Sequence, residues 1–261
     1  MRKFLTFSIV SFLFVIPLAK AEEGAHDHAA SGHGAVEAQG WSFEGPFGTY
    51  DRGALQRGFQ VYSQVCSACH SMKYMSYRNL TALGYNEDEV KAIASQYTIM
   101  DGPDDEGEMF ERPRKPSDRF KNPYENENQA RYANNGALPP DLSLITKARV
   151  GGADYVYGIL TGYSEAPEGE TLAAGQHWNN VMPGNKIAMA APLSDDIVGY
   201  EDGSPTTKEQ YARDVATFLT WAAEPEMEVR KRTGIKVILF LLVFAGIMYS
   251  VKKKIWSDVK N

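Results

Sequence analysis

Cys66, Ser67, Ala68, Cys69 and His70 stand in a row, and Cys66 and Cys69 are the chain's 2 cysteines. Cys-x-x-Cys followed at once by histidine sets two thiols beside an imidazole, the pattern that attaches a c-type haem covalently. A disulfide between the two thiols is the plain alternative. With a haem, His70 takes one face of the iron and the opposite face decides the chemistry. A filled sixth position conducts electrons, whereas an open one reacts with small molecules.

Both ends of the chain point to export and anchoring. Residues 1–21 carry Arg2 and Lys3, the apolar run FLTFSIVSFLFVIPL and then Ala19-Lys20-Ala21. That order is the signature of a secretory signal peptide cleaved after Ala21, and the run is short for an uncleaved membrane span. Near the other end, GIKVILFLLVFAGIMYSV holds a single charge, Lys236. At ~1.5 Å per residue such a stretch nearly crosses a hydrocarbon layer of ~30 Å. Arg230-Lys231-Arg232 and Lys252-Lys253-Lys254 flank it, which suits a membrane helix better than a buried core helix. The predicted anchor covers residues 233–252 and residues 253–261 form a tail. An exported N-terminus leaves the bulk of the chain outside the cytoplasmic membrane and the C-terminal lysines inside.

The whole chain has a formal charge of −6, but residues 22–229 hold 16 lysines and arginines against 32 aspartates and glutamates, a balance of −16. So acidic an exported segment attracts basic partners, with salt-dependent encounter rates, and is poorly suited to nucleic acid.

Residues 22–40, EEGAHDHAASGHGAVEAQG, contain no large apolar residue except Val36 and read as a mobile leader, with His26, His28 and His33 in a solvated tail. The domain proper is predicted over residues 41–229. Leu55, Phe59, Tyr62 and Cys66 recur at helical spacing behind a capping Asp51, so one helix delivers the haem motif at its end. Asn86 and Glu89 form a capping pair ahead of Val90, Ile93 and Tyr97. The stretch 101–123 is dense in proline and glycine and reads as a long loop without regular structure, suited to docking or shielding. The segments 134–149 and 151–163 alternate turn-formers with apolar residues. The final helix of the domain starts with Thr207 and Gln210 as a capping box, carries Tyr211, Val215, Phe218, Leu219 and Ala222 on one stripe, and ends before Pro225.

A thioether opposite the imidazole raises the haem potential, as an electron carrier in an oxidising chain requires. Of 9 methionines, Met72 and Met75 follow His70 too closely to reach the far face, Met1 is removed and Met248 lies in the anchor. Met100, Met109, Met182, Met189 and Met227 remain. NVMPGNKIAMAAPL sets Met182 and Met189 in a proline-bracketed stretch suited to a strap across a haem face, which favours one of these two. His177 is a rival ligand that would lower the potential.

The blocks CSACHSMKYMSYRNL, ARYANNGALPPDLSLITKARVGGADYVYGILTGY, MPGNKIAMAAPL and DVATFLTWAAEPEMEVRKRTG occur in that order from about residue 41 to the C-terminus. Together they resemble cytochrome c1, the haem-bearing subunit of the cytochrome bc1 complex. The resemblance implies a mainly α fold, a cytochrome c-like haem domain with long loop insertions plus one C-terminal transmembrane helix. It implies one covalently bound haem c on Cys66 and Cys69, with His70 and Met189, rather than Met182, as iron ligands. Where the family pattern reads IAMAPP this chain reads IAMAAP, so Ala191 stands at the usual first proline. Arg149 resembles the arginine that pairs with a haem propionate, Tyr155 and Asn134 resemble pocket neighbours, and Pro140 resembles the residue whose carbonyl fixes the His70 ring. The implied function is electron relay from the Rieske iron-sulfur subunit to a cytochrome c acceptor, beside cytochrome b, with no catalysis by the chain alone. The implied location is a bacterial inner membrane, spanned once, with the haem domain on the periplasmic side. A cytochrome anchored to another oxidase or dehydrogenase, and a haem enzyme or gas sensor with an open iron, are the competing readings.

Overall fold

Asp51 sits in extended backbone and its carboxylate accepts hydrogen bonds from the N–H groups of Gly53 and Ala54, which starts helix α1, Arg52–Gln64. In the computed structural model of the chain, which describes residues 36–259, α1 runs into a short 3-10 turn, Cys66–Ala68, at the haem motif. The signal-peptide reading and most of the leader, His26, His28 and His33 included, fall outside the described residues. From Gln39 onward the chain is tied down: its N–H and the Trp41 indole both donate to Asp154, at 2.9 and 2.7 Å.

A second 3-10 helix, Tyr77–Leu83, leads to α2, Glu87–Ser95, where Asn86 and Glu89 form the reciprocal capping box that their spacing predicts. The stretch 101–123 departs from the sequence expectation. Strand β1, Thr98–Asp101, pairs antiparallel with β2, Phe110–Pro113, in the register Asp101↔Phe110 to Thr98↔Pro113. Gly102, Pro103 and Gly107 all fall in the turn, where Asp104 accepts from the N–H groups of Glu106 and Glu108 at 2.9 Å each. Three of the breakers therefore fall in the turn, and Pro113 stands at the terminal pair of the ladder, opposite Thr98, where β2 ends. Arg112 binds both Asp101 and Asp118, pinning the hairpin to the loop behind it.

Helices α3, Glu127–Ala133, α4, Ile145–Ala148, and α5, Gly152–Thr161, follow, with the segment 134–144 between α3 and α4. A two-residue pair of strands, β3, His177–Trp178, and β4, Lys186–Ile187, closes the next loop with His177 opposite Ile187. Helix α6, Lys208–Ala223, is the centre of the domain and packs on α1, α4 and α5. Its predicted stripe is buried, Tyr211, Val215 and Phe218 fully so. Half of the predicted capping box forms: Thr207 accepts from the Gln210 N–H, but the Gln210 amide turns to Asp214. Asp214, completely buried, is satisfied there by Arg57 at 2.9 and 3.0 Å and by Tyr200 at 3.0 Å. That charged pair locks α1 to α6, and with its partners in place the burial of two charges is tolerated.

Helix α7, Met227–Ile255, has a mean hydropathy of 2.2 in its apolar window and is long enough to cross a membrane. The predicted anchor lies wholly inside it. Its first turn is riveted to the domain, since Glu228 accepts from the Tyr50 N–H and from Arg52, and Lys231 donates to the carbonyls of Phe43 and Gly48.

Candidate haem-binding site

Two separate constructions make the site. The first grows from the end of α1. The N–H groups of Cys69 and His70 both return to the Cys66 carbonyl, at 3.1 and 2.9 Å, so the motif closes as one tight turn. The Tyr62 hydroxyl donates to the His70 carbonyl at 3.2 Å, and its ring packs 5.8 Å from that of Phe218 on α6. Cys66 and Cys69 are both free thiols. Burial pushes the Cys66 thiol up to about 12, with Cys69 adding to it.

The His70 ring is fixed from a point 70 residues away, where its Nδ1 lies 2.8 Å from the Pro140 carbonyl oxygen. A carbonyl only accepts, so Nδ1 carries the proton and Nε2 presents its lone pair. Burial lowers the pKa of this histidine, against the opposing effects of the Pro140 hydrogen bond and Asp141, which keeps the imidazole in the neutral, metal-binding form.

Asp141 is the residue that holds Pro140 in place, and no local spacing pointed to it. Its carboxylate accepts from the Ser71 hydroxyl at 2.7 Å and the Lys73 N–H at 2.8 Å, while the Leu142 N–H reaches the Ser71 carbonyl at 2.8 Å. Burial pushes the Asp141 carboxyl up, but hydrogen bonds from Ser143, Lys73 and Ser71 outweigh it and leave the group below its ordinary value. The two segments that bracket His70 are thus laced together on either side of its ring.

The second construction is the strap. β3 and β4 turn through Asn185, whose φ of 59° is left-handed, and Met189 follows β4 by two residues. Met189 is half-buried against the hydrophobic core, and its carbonyl accepts from the Tyr163 hydroxyl at 3.0 Å. The sulfur of Met182 is met instead by the Tyr155 hydroxyl at 3.8 Å. The other methionines are placed elsewhere. Met72 and Met75 are core, Met227 is buried at the start of α7, and Met100 and Met109 are exposed on the β1–β2 hairpin. His177 sits in β3 itself, on the same strap.

Arg149 ends α4 and is exposed, with one hydrogen bond to the neighbouring Ala148 carbonyl. Among the described residues no carboxylate pairs with it, which suits a propionate partner. Asn134 caps the end of α3 and spends its side-chain N–H groups on the Tyr124 hydroxyl and the Ala130 carbonyl, leaving its carbonyl oxygen for other contacts. Pro140 and His70 meet directly, and so do Tyr155 and Met182, whereas Arg149 and Asn134 bond only within their own segments. A neutral imidazole with Nε2 exposed for bonding, two free thiols in the adjoining turn, a thioether on a strap and a cation without a carboxylate are a donor set that fits a covalently attached haem.

The family model described as the Cytochrome C1 family matches residues 41–259. The chain belongs to the cytochrome c1 family. It is 44% identical over 254 residues to cytochrome c1 of Rhodospirillum rubrum, covering 91% of this chain and 93% of that one. It is 47% identical over 245 residues to the mitochondrial cytochrome c1 heme protein of Saccharomyces cerevisiae, covering 94% and 76%. Against the cytochrome b/c1 of Bradyrhizobium diazoefficiens it is 49% identical over 259 residues, and there the match covers 90% of this chain but 38% of the longer relative. Cytochrome c1 is the haem subunit of the bc1 complex and carries electrons from the Rieske protein to cytochrome c, and members carry one covalent haem c. The mostly helical fold and single apolar C-terminal helix agree with the fold that the resemblance implies.

Proposed function

We propose that this chain is a membrane-anchored electron relay in which Cys66 and Cys69 would hold the haem covalently and His70 and Met189 would both ligate its iron. The observation that carries the reading is the His70 Nδ1 to Pro140 contact of 2.8 Å, which leaves the ring's other nitrogen available for a metal in the turn that holds two free thiols. The haem supplies the one-electron couple. The residues around it keep it attached, hold both ligands at fixed positions in either oxidation state, and leave no iron position for a substrate, so the chain carries out no catalysis alone. Arg149 balances a propionate, Tyr155 and Asn134 line the cofactor, and Pro140 orients the proximal ring. Tyr155 holding Met182 by its sulfur supports Met189 as the ligand of the pair.

The partners are the cytochrome b and Rieske subunits of the complex and a cytochrome c acceptor. Export by residues 1–21 and the lysines at the end of α7 support a haem domain on the periplasmic side of a bacterial inner membrane. Carbon monoxide tests the relay directly. Added to the reduced, haem-loaded chain at neutral pH, it should leave the spectrum unchanged, and rapid conversion to a carbonyl complex would instead establish an open iron and a haem enzyme or sensor.

The charge of −16 over residues 22–229 favours a basic acceptor. Asp104, Asp105, Glu106 and Glu108 are all exposed at the β1–β2 turn, which adds a concentrated patch to that field. The second-order rate with a basic cytochrome c should fall by about tenfold or more between low and high ionic strength. Stopped-flow rates that stay flat across the same range would remove the steering argument.

A further inference from the structure

Asn179 is completely buried, directly after β3 at the start of the strap that carries Met189. A buried carboxamide is retained at a cost unless its polar atoms are paired, so its partners identify its task. Its Nδ2 donates to the Ile159 carbonyl at 2.8 Å, an acceptor in the last turn of α5 that the helix itself leaves open. Its Oδ1 accepts from the N–H groups of Val181 and Met182 at 3.0 and 3.1 Å. The backbone joins in: the Asn179 N–H donates to the Asn185 carbonyl at 2.8 Å, and the Asn185 side chain returns to the Asn179 carbonyl at 3.2 Å.

One side chain therefore ties the end of α5 to the start of the strap and also ties the strap's turn to itself. β3 and β4 pair immediately outside this knot, and Met189 lies two residues beyond β4. Tyr163, which forms an antiparallel bridge with Asn179, holds the Met189 carbonyl from the other end. The strap thus hangs from α5 at Asn179 and Tyr163, while α5 itself packs on the central helix α6. Without the Asn179 amide, the Ile159 carbonyl and two strap N–H groups lose their partners together, and the strap loses its link to the rigid part of the domain.

We propose that Asn179 is a positioning residue for electron transfer, holding the strap closed so that the Met189 sulfur stays on the iron. The inference rests on Met189 being the sixth ligand. A loosened strap lets the thioether leave more often, and a sixth position open for part of the time shows in three ways. The methionine-to-iron charge-transfer band weakens, the potential falls, and carbon monoxide gains access.

The test uses the full-length, haem-loaded chain in its membrane complex. In Asn179→Ala the band should weaken and carbon monoxide should combine with the reduced form about tenfold faster or more than in the parent. Asn179→Asp keeps the acceptor for Val181 and Met182 but sets an oxygen against the Ile159 carbonyl, and its defect should lie in the same direction. Asn185→Gly is the mild variant: it accepts the left-handed backbone, removes only the side-chain tether, and should show a smaller shift of the same sign. If Asn179→Ala does not accumulate, Asn185→Gly carries the test alone. A haem-loaded variant with the parent's band, potential and inertness to carbon monoxide overturns the proposal. Met189→Leu run alongside separates the two readings: if that variant keeps the band, the ligand assignment has failed, and if it loses the band while Asn179→Ala does not, only the role of Asn179 has failed.

Discussion

Met189→Leu abolishes the methionine-to-iron charge-transfer band and lowers the midpoint potential, by at least ~0.1 V within the range of roughly 0.8 V that axial ligands span. Met182→Leu leaves both close to the parent. Leucine nearly conserves the volume of methionine, so packing changes little at either position and the sulfur is the main loss. The two positions differ in what meets that sulfur. Met182 is engaged by the Tyr155 hydroxyl at 3.8 Å, so its replacement removes a weak contact between the strap and α5. Met189 is held by its backbone, through the Tyr163 hydroxyl at 3.0 Å, which fixes the residue while leaving its thioether uncommitted. Optical and potentiometric titration of both variants in the assembled complex decides between them. Loss of the band in Met182→Leu with retention in Met189→Leu would reverse the assignment, retention in both would move it to another methionine, and a parent chain without the band would return His177 as the ligand.

What could be read from the sequence follows the range of the interactions involved. Asp51, the Asn86 and Glu89 pair and the stripe from Tyr211 to Ala222 signal through contacts within a turn or two, and their helices form as their spacing predicts. Helix α5 was hidden because its boundaries are glycines. Gly151 and Gly152 have φ of 87° and 52° and build the helix entry, whereas Gly158 gives room to Val181, yet in a row they resemble turn-formers. The β1–β2 hairpin was hidden by the same confusion, since Gly102, Pro103 and Gly107 sit in its turn, Pro113 ends its second strand, and Arg112 pins it by reaching Asp101 and Asp118. At the site, Cys66, Cys69 and His70 announce themselves because five consecutive residues carry the chemistry. The choice of Met189 over Met182, and the part given to Pro140, came from resemblance alone. Asp141 and Asn179 were invisible because each is a polar residue in a loop, and its significance comes from partners brought near only by folding.

Gly58→Ala destabilises the domain by several kcal/mol, about 3 or more, despite the better helix propensity of alanine, worth ~1 kcal/mol. Gly58 lies in the middle of α1 where that helix meets α6. A Cβ there would stand 2.1 Å from the Asp214 carbonyl oxygen and 2.6 Å from the Phe218 Cβ. Neither neighbour is a flexible tip. One is helical backbone, and the other is the root of a ring packed between Phe59, Tyr62 and Trp221. Relief therefore requires the two helices to separate, which stretches the bonds from Arg57 to Asp214 and moves the end of α1 that carries Cys66. Gly53→Ala in the same helix is the matched control, because its Cβ would meet only the Arg57 Nη1 and Asp51 Oδ1 at an ordinary 3.4 Å. That variant should be neutral or gain up to ~1 kcal/mol from propensity and the reduced freedom of the unfolded chain. Denaturant unfolding of the haem-loaded variants followed by circular dichroism measures the difference. A Gly58→Ala midpoint as high as that of Gly53→Ala would mean that the α1–α6 contact is looser than its geometry states, and that the haem turn does not depend on it.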